Sequence, residues 1–123
     1  MVTDEFMSGA IIGFLEGEGS VEPIHRVVRI VNSDKLLLST IQQYLSTKGV
    51  HSRLTEYNVE YNKRVGNRSR VYRITITHRV NLIKVYELYG DFESEKKNRL
   101  GSVLAAYKRK IYAQRDLHSG QNP

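Results

Sequence analysis

"GAIIGFLEGEGSV", residues Gly9 to Val21, sets two glutamates directly behind the most apolar turn of the chain and follows them with glycine, serine and valine. With the residues before it, the stretch has the spacing of a helix buried along one stripe: Phe6, Met7, Ala10, Ile11, Phe14 and Leu15 recur at three- and four-residue intervals. Thr3 is placed to cap a helix over Asp4 to Leu15, Asp4 and Glu5 suit its positive end, and Gly17 and Gly19 are expected to stop it. Ala10, Ile12 and Gly13 make a face on which a second helix can approach closely. A two-fold axis along two such helices brings two copies of Glu18 together at one end. Close carboxylates repel unless a cation neutralises them, and Mg²⁺ is the oxygen-seeking cation of phosphate chemistry.

Working outward, "SVEPIHRVVRIVN" is rich in β-branched residues and broken by Pro23, which predicts a short strand, a turn and a second strand ending near Val31. "NSDKLLLSTIQQYLSTKG" predicts an amphipathic helix with Asn32 or Ser33 as cap, an apolar face at Leu37, Leu38, Ile41, Tyr44 and Leu45, and a stop at Gly49. Two further strands, Val50 to Tyr57 and Arg70 to Thr77, flank a polar basic loop with Gly66 and Asn67. "NLIKVYELYG" predicts a short helix stopped by Gly90, and Glu93 to about Arg109 a last one. The order α-β-β-α-β-β-α-α implies an α+β fold: a four-stranded antiparallel saddle sheet with helices on one face. One domain is expected over 1–115, with a polar disordered tail over 116–123. The open sheet face should carry Arg29, Arg53, Thr55, Tyr57, Arg73 and Thr75.

The 123 residues suit one core, and the absence of cysteine removes disulfides, thiol catalysis and thiolate zinc sites. The net charge of +6 favours a polyanionic partner. Its distribution says more: Met1 to Glu22 holds five acids and no Lys or Arg, whereas Arg53 to Arg79 holds seven Lys or Arg against Glu56 and Glu60. No apolar run approaches the roughly 20 residues that span a bilayer, and Asp4 and Glu5 stand where a signal peptide is basic. An intracellular protein without a membrane partner is expected, in the cytoplasm or nucleoid of a prokaryote or otherwise in an organelle.

"IIGFLEGEGS", Ile11 to Ser20, resembles the signature of the LAGLIDADG homing endonucleases. Gly13, Phe14, Leu15, Glu16, Glu18 and Gly19 match it in kind, and the element order extends the resemblance over nearly the whole chain. One motif copy is similar to the homodimeric branch. The resemblance implies a site-specific double-strand DNA endonuclease acting as a homodimer on a long, near-palindromic site with Mg²⁺ or Mn²⁺. It implies catalytic roles for Glu18, Lys96 and Asn32, with Glu18 and Gly19 at the metal and Lys97 competing with Lys96. It also implies a dimer interface through Ala10, Ile12, Gly13 and Glu16, Glu16 supporting the helix ends. DNA would be contacted by Arg29, Arg53, Thr55, Tyr57, Arg68, Arg70, Arg73 and Thr75. The alternative it implies is a maturase-like module that binds DNA or intron RNA with cleavage weak or lost. A dimeric transcription regulator is a weaker third class, opposed by the missing helix-turn-helix.

Plainer readings stand beside these. "GEGSVE" lacks the third spaced glycine of a nucleotide loop, and here a helix precedes and a strand follows, the reverse of the Rossmann order. Glu16 and Glu18 alone would read as a solvated helix end. Lys96 and Lys97 lie beside Glu93 and Glu95, where ion pairing along a helix competes with catalysis. His25, His51, His78 and His118 show no metal spacing, and His78 keeps the core-facing parity of its strand. Tyr57 and Tyr61, near Arg64 and Arg68, suit either base stacking or cover of a sheet edge. The "VEPIHR" turn is far shorter than the β-ribbon usual in these endonucleases, which predicts fewer base contacts at the outer ends of a target.

Overall fold

The computed structural model describes residues 3–62 and 67–107, without the side chains of 57–69. Its elements are α1 (Asp4–Glu18), β1 (Gly19–Glu22), β2 (Val27–Asn32), α2 (Lys35–Thr47), β3 (Arg53–Asn62), β4 (Asn67–Ile76) and α3 (Arg79–Tyr89), followed by α4 from residue 95, described to 107. The strands form one antiparallel sheet in the order β1-β2-β4-β3. The expected α+β architecture is therefore present. The expected tail over 116–123 and the end of the last predicted helix lie outside the described residues, as do Arg64 and His118.

Strand periodicity decides which side is covered. Val21, Val28, Ile30, Ile74 and Ile76 share one side, and all join Ile11, Ile12 and Leu15 of α1, Leu38, Ile41 and Leu45 of α2, Leu82 and Val85 of α3 and Leu100 and Val103 of α4 in a single buried cluster. Leu38, Ile30, Ile74, Ile76, Leu82 and Val85 are wholly excluded from solvent. Burying each aliphatic side chain contributes about 1.5–3 kcal/mol, which fixes the strand register, because a one-residue slip would turn the whole set outward.

Several boundaries differ from the sequence expectation for identifiable reasons. Gly17 does not stop α1, which continues to Glu18 and is capped by Gly19. The cap of α2 is Asp34, whose carboxylate accepts from Leu37 N–H at 3.1 Å, rather than Asn32 or Ser33. Asn32 is engaged elsewhere, and its side-chain oxygen accepts from Asp34 N–H at 2.8 Å. The second hairpin is longer than its apolar pattern, because the polar residues beyond Tyr57 and before Arg70 still pair across the strands. β4 stops at Ile76, so His78 is not core-facing: it is exposed, with φ +71°, at the start of α3. That helix begins at Arg79 rather than Asn81 because buried Asn81 ties its first turn down, donating to Thr77 C=O at 2.9 Å and accepting from His51 N–H at 3.0 Å.

The start of α1 is fastened to the end of α2. Lys48 and the Tyr44 hydroxyl each reach the Asp4 carboxylate at 2.8 Å, and the Lys48 hydrogen bond holds that carboxyl below its ordinary pKa. The orientation of α1 is thus set at its first turn as well as along its buried stripe.

Ile74→Ala should lower the unfolding free energy by about 2–5 kcal/mol, because it leaves a cavity among α2, β2 and β3 that the sheet cannot close. A urea titration followed by circular dichroism would report it as a lower midpoint at unchanged slope.

Candidate functional site

The chain passes from α1 to β1 without a loop: Glu18 is the last helical residue and Gly19 the first of the strand. Gly19 N–H donates back to the carbonyls of Leu15 and Phe14. A Cβ at position 19 would stand 2.5 Å from the Leu15 carbonyl oxygen and 2.9 Å from its Cα, so no side chain fits without moving main chain. Close approach, and not a glycine-only φ, is what requires glycine here; φ is −82°.

The last turn of α1 contains no basic residue of its own. The cation that a helix C-terminus favours comes from α4, where the Lys96 ammonium donates to the carbonyls of Leu15 at 3.0 Å and Glu16 at 2.5 Å. Lys97 points elsewhere. It is buried, donates to Gly90 C=O at 2.8 Å and Glu93 at 3.2 Å, and faces the Tyr86 ring. Of the two lysines, Lys96 reaches the Glu18 end of α1, and it does so through main-chain oxygens.

Glu16 and Glu18 are two residues apart, and about 200° of helical rotation separates their side chains. Glu16 turns inward, where one carboxylate oxygen accepts from both the Tyr89 hydroxyl at 2.9 Å and the Ser94 hydroxyl at 2.7 Å. Burial, reinforced by the Glu16 carboxylate, pushes the Tyr89 phenol well above the ordinary tyrosine pKa. Glu18 is exposed and accepts at 2.7 Å from the side-chain amide of Asn32, at the end of β2. Glu18, Asn32 and Lys96 are therefore gathered at one end of α1.

The open face of the sheet is arranged in rows. Ser20, Arg29, Thr75 and Arg53 stand in register across all four strands, and Val31, Arg73 and Thr55 form the next row. Glu22 shares this face and accepts from the Arg29 guanidinium, a carboxylate that composition alone did not single out. Val71 also belongs here by parity, yet it is buried. Arg70 has the opposite parity and lies 3.7 Å from Glu56, an exposed pair worth little in energy, so it does not join the rows. The side chains of Tyr57, Tyr61 and Arg68 lie outside the described residues.

On α1, Gly9, Gly13 and Gly17 are exposed and have nothing within 4 Å of where a Cβ would stand. Ala10 is half-buried at the margin of this bare stripe, whereas Ile12 belongs to the core of its own subunit and Glu16 is engaged by α3 and the start of α4. Sequence reasoning missed Gly9 and Gly17, although their four-residue spacing from Gly13 was readable. Beside the stripe, a largely apolar groove of about 340 Å³ is lined by Gly9, Ile12, Gly13, Leu88, Tyr89 and Phe92.

Metal fit follows from the donor set. The exposed Glu18 carboxylate and the carbonyl oxygens of a helix C-terminus are hard oxygen donors suited to Mg²⁺. Among the described residues no group of three His, Cys, Asp or Glu is close enough to hold a metal. The Glu18 carboxylate is thus a single exposed acidic oxygen ligand at this end of α1.

A family model described as a LAGLIDADG-like domain matches residues 5–90, which take in all four strands and run from α1 to the glycine after α3. No curated protein and no solved structure matches the chain. No helix among the described residues is long and apolar enough to cross a membrane.

Gly19→Ala should cost about 1–3 kcal/mol of stability, because the Leu15 carbonyl must move to admit the methyl group; chemical denaturation would measure it. Tyr89 supplies a pH signature. Its raised pKa favours the folded state while the phenol is neutral, so that contribution is complete below about pH 10, where unfolded tyrosine titrates, and declines as pH rises further. The stability difference between wild type and Tyr89→Phe should shrink steadily above pH 10, in urea titrations run at successive pH values.

Proposed function

Because the chain belongs to the LAGLIDADG family, we propose that it is a metal-dependent endonuclease that cuts both strands of a long, near-palindromic DNA site as a homodimer. The observation that carries this reading is the gathering of an exposed Glu18, the amide of Asn32 and the ammonium of Lys96 at the end of a helix whose outer face is bare glycine. Two such helices packed along Gly9, Gly13 and Gly17 bring their Glu18 carboxylates together at a dyad. The remaining dimer candidates divide: Ala10 borders this face, while Ile12 and Glu16 support it from within the subunit.

In this reading Glu18 and the Gly19 carbonyl hold Mg²⁺ or Mn²⁺, and Asn32 orients the Glu18 carboxylate by donating to it. A divalent cation held there would supply charge stabilisation at the scissile phosphate and acidify an attacking water. Lys96 neutralises the negative end of α1, which otherwise repels a phosphate arriving beside Glu18. Arg29 and Arg53, in one row with Ser20 and Thr75, and Arg73 with Thr55 in the next, present cations and hydroxyls to phosphates and base edges of the major groove. Only four residues, Pro23 to Arg26, join β1 and β2, and the Arg26 guanidinium stacks over Tyr107 of α4 at 4.6 Å. This turn is drawn towards α4, so the longer β3–β4 hairpin is the better placed to reach the outer bases.

Incubating the protein with a randomised or source-genome DNA library and Mg²⁺, then sequencing cut ends, tests the reading. Short 3′ overhangs at one recurring site support it. Tight binding to DNA or structured RNA with no cut ends selects the maturase-like module instead. Glu18→Gln should abolish cleavage and leave DNA affinity within about threefold, while Arg29→Ala should weaken binding and lower the salt slope by about one. Cleavage by Glu18→Gln at the wild-type rate in Mg²⁺ would sink the assignment.

A further inference from the structure

The eight residues from Tyr89 to Lys96 cross from α3 into α4 and grip the last turn of α1 at three points. The Tyr89 and Ser94 hydroxyls donate to the same Glu16 oxygen, at 2.9 and 2.7 Å, and the Lys96 ammonium donates to two main-chain carbonyls of that turn. The joint is itself braced: Lys97 donates to the Gly90 carbonyl, Ser94 accepts from Lys97 N–H at 3.0 Å, and the Tyr89 and Phe92 rings lie 6.3 Å apart. Glu18 is the next exposed group along α1 after this grip. Among the described residues its side chain is met by the amide of Asn32, on a different element. An exposed carboxylate at a helix end ordinarily frays with that end; here the turn below it is tied to two other helices.

We propose that Tyr89 and Ser94 are positioning residues for Glu18, acting through Glu16: they fix the last turn of α1 so that the metal-binding carboxylate is presented in one place rather than sampled. The proposal rests on the reading of Glu18 as a metal ligand. Glu16 then has a definite task, since its charge strengthens two hydrogen bonds that neutral acceptors would make more weakly. The arrangement is an outer shell of the kind that orients a ligand without touching the cation. It also accounts for the unequal surroundings of the two glutamates, one clamped by hydroxyls and one left open.

The test compares wild type with Tyr89→Phe/Ser94→Ala, which keeps the buried ring and removes both donors, with Glu16→Ala, and with all three changes combined. Two quantities are read: amide hydrogen exchange at Gly19 by NMR without metal, and the free Mn²⁺ concentration that half-saturates the protein on DNA, followed by electron paramagnetic resonance. The double variant and Glu16→Ala should each speed Gly19 exchange and weaken Mn²⁺ binding about tenfold, with DNA affinity measured without metal falling by less than about threefold. Combining them should add little, because all three side chains act through one contact. Glu16→Gln, which retains an acceptor oxygen but not the charge, should recover about half of the loss. Unchanged Gly19 exchange in the variants overturns the proposal, as does an equal fall in DNA affinity and Mn²⁺ affinity, the mark of general destabilisation. If wild type takes up no Mn²⁺ while the variants still loosen Gly19, the metal reading of Glu18 fails and the positioning of its helix end stands.

Discussion

The contact between Gly19 and the Leu15 carbonyl is the constraint from which the rest of the site follows. Because no Cβ intervenes, the chain leaves α1 and enters β1 within one residue, and Glu18 stands at the corner. A longer connection would have detached the carboxylate from both elements and left its place to loop motion. The same tight passage brings Glu18 beside the end of β2, since Gly19 pairs with Ile30 and Asn32 lies two residues further along. The hydrogen bond from Asn32 to Glu18 is thus a product of strand register as much as of side-chain choice.

Tightness has an electrostatic consequence. The end of α1 concentrates the partial negative charge of a helix C-terminus and adds Glu16 and Glu18, in a protein whose partner is argued to be polyanionic. Two local devices reduce this. Lys96 neutralises the carbonyls from outside the helix, and Tyr89 and Ser94 solvate Glu16 with hydroxyls rather than with a second cation. Glu18 alone remains open, so the uncompensated charge of the region is confined to the group proposed to bind a metal.

Much of the fold was legible in the sequence because it rests on period. The alternation of Val28, Ile30, Ile74 and Ile76 against Arg29, Arg73 and Thr75 gave the covered and open faces, and the apolar spacing in Leu38, Ile41 and Leu45 gave α2. The signature around Glu18 pointed to the candidate site, and the resemblance pointed to Asn32, whose amide the fold brings to Glu18. What escaped was information that side chains exchange across the fold. Asp34 became a cap because Asn32 was already engaged, and only the tertiary structure states that. His78 followed its strand's parity on paper, but the strand ended two residues earlier. Arg70 was grouped with Arg73 by charge although an odd step along a strand sends it to the other side. Glu22 drew no notice because a single acid in a short strand carries no motif, and its partner Arg29 is seven residues distant. The choice of Lys96 over Lys97 required the helix register, which places one on the carbonyls of α1 and buries the other against Tyr86.

The two glutamates make the same point about sign and distance. They share a residue type, a helix turn and a motif, yet about 200° of rotation sends one into a hydroxyl clamp and the other into solvent. A carboxylate that accepts two short hydrogen bonds from a helix joint transmits the position of that joint to its own backbone. On the positioning proposed above, the carboxylate two residues further on inherits that position without touching the joint. The stripe of Gly9, Gly13 and Gly17 adjoins the clamp, since Gly9, Gly13, Glu16 and Tyr89 line one groove, so α1 carries a core face and, side by side, a clamped and a bare surface. In the proposed dimer a second subunit on the bare face would pack beside the clamp and put two equally positioned Glu18 carboxylates at one dyad, a geometry that one protomer, with one exposed carboxylate at its helix end, does not provide.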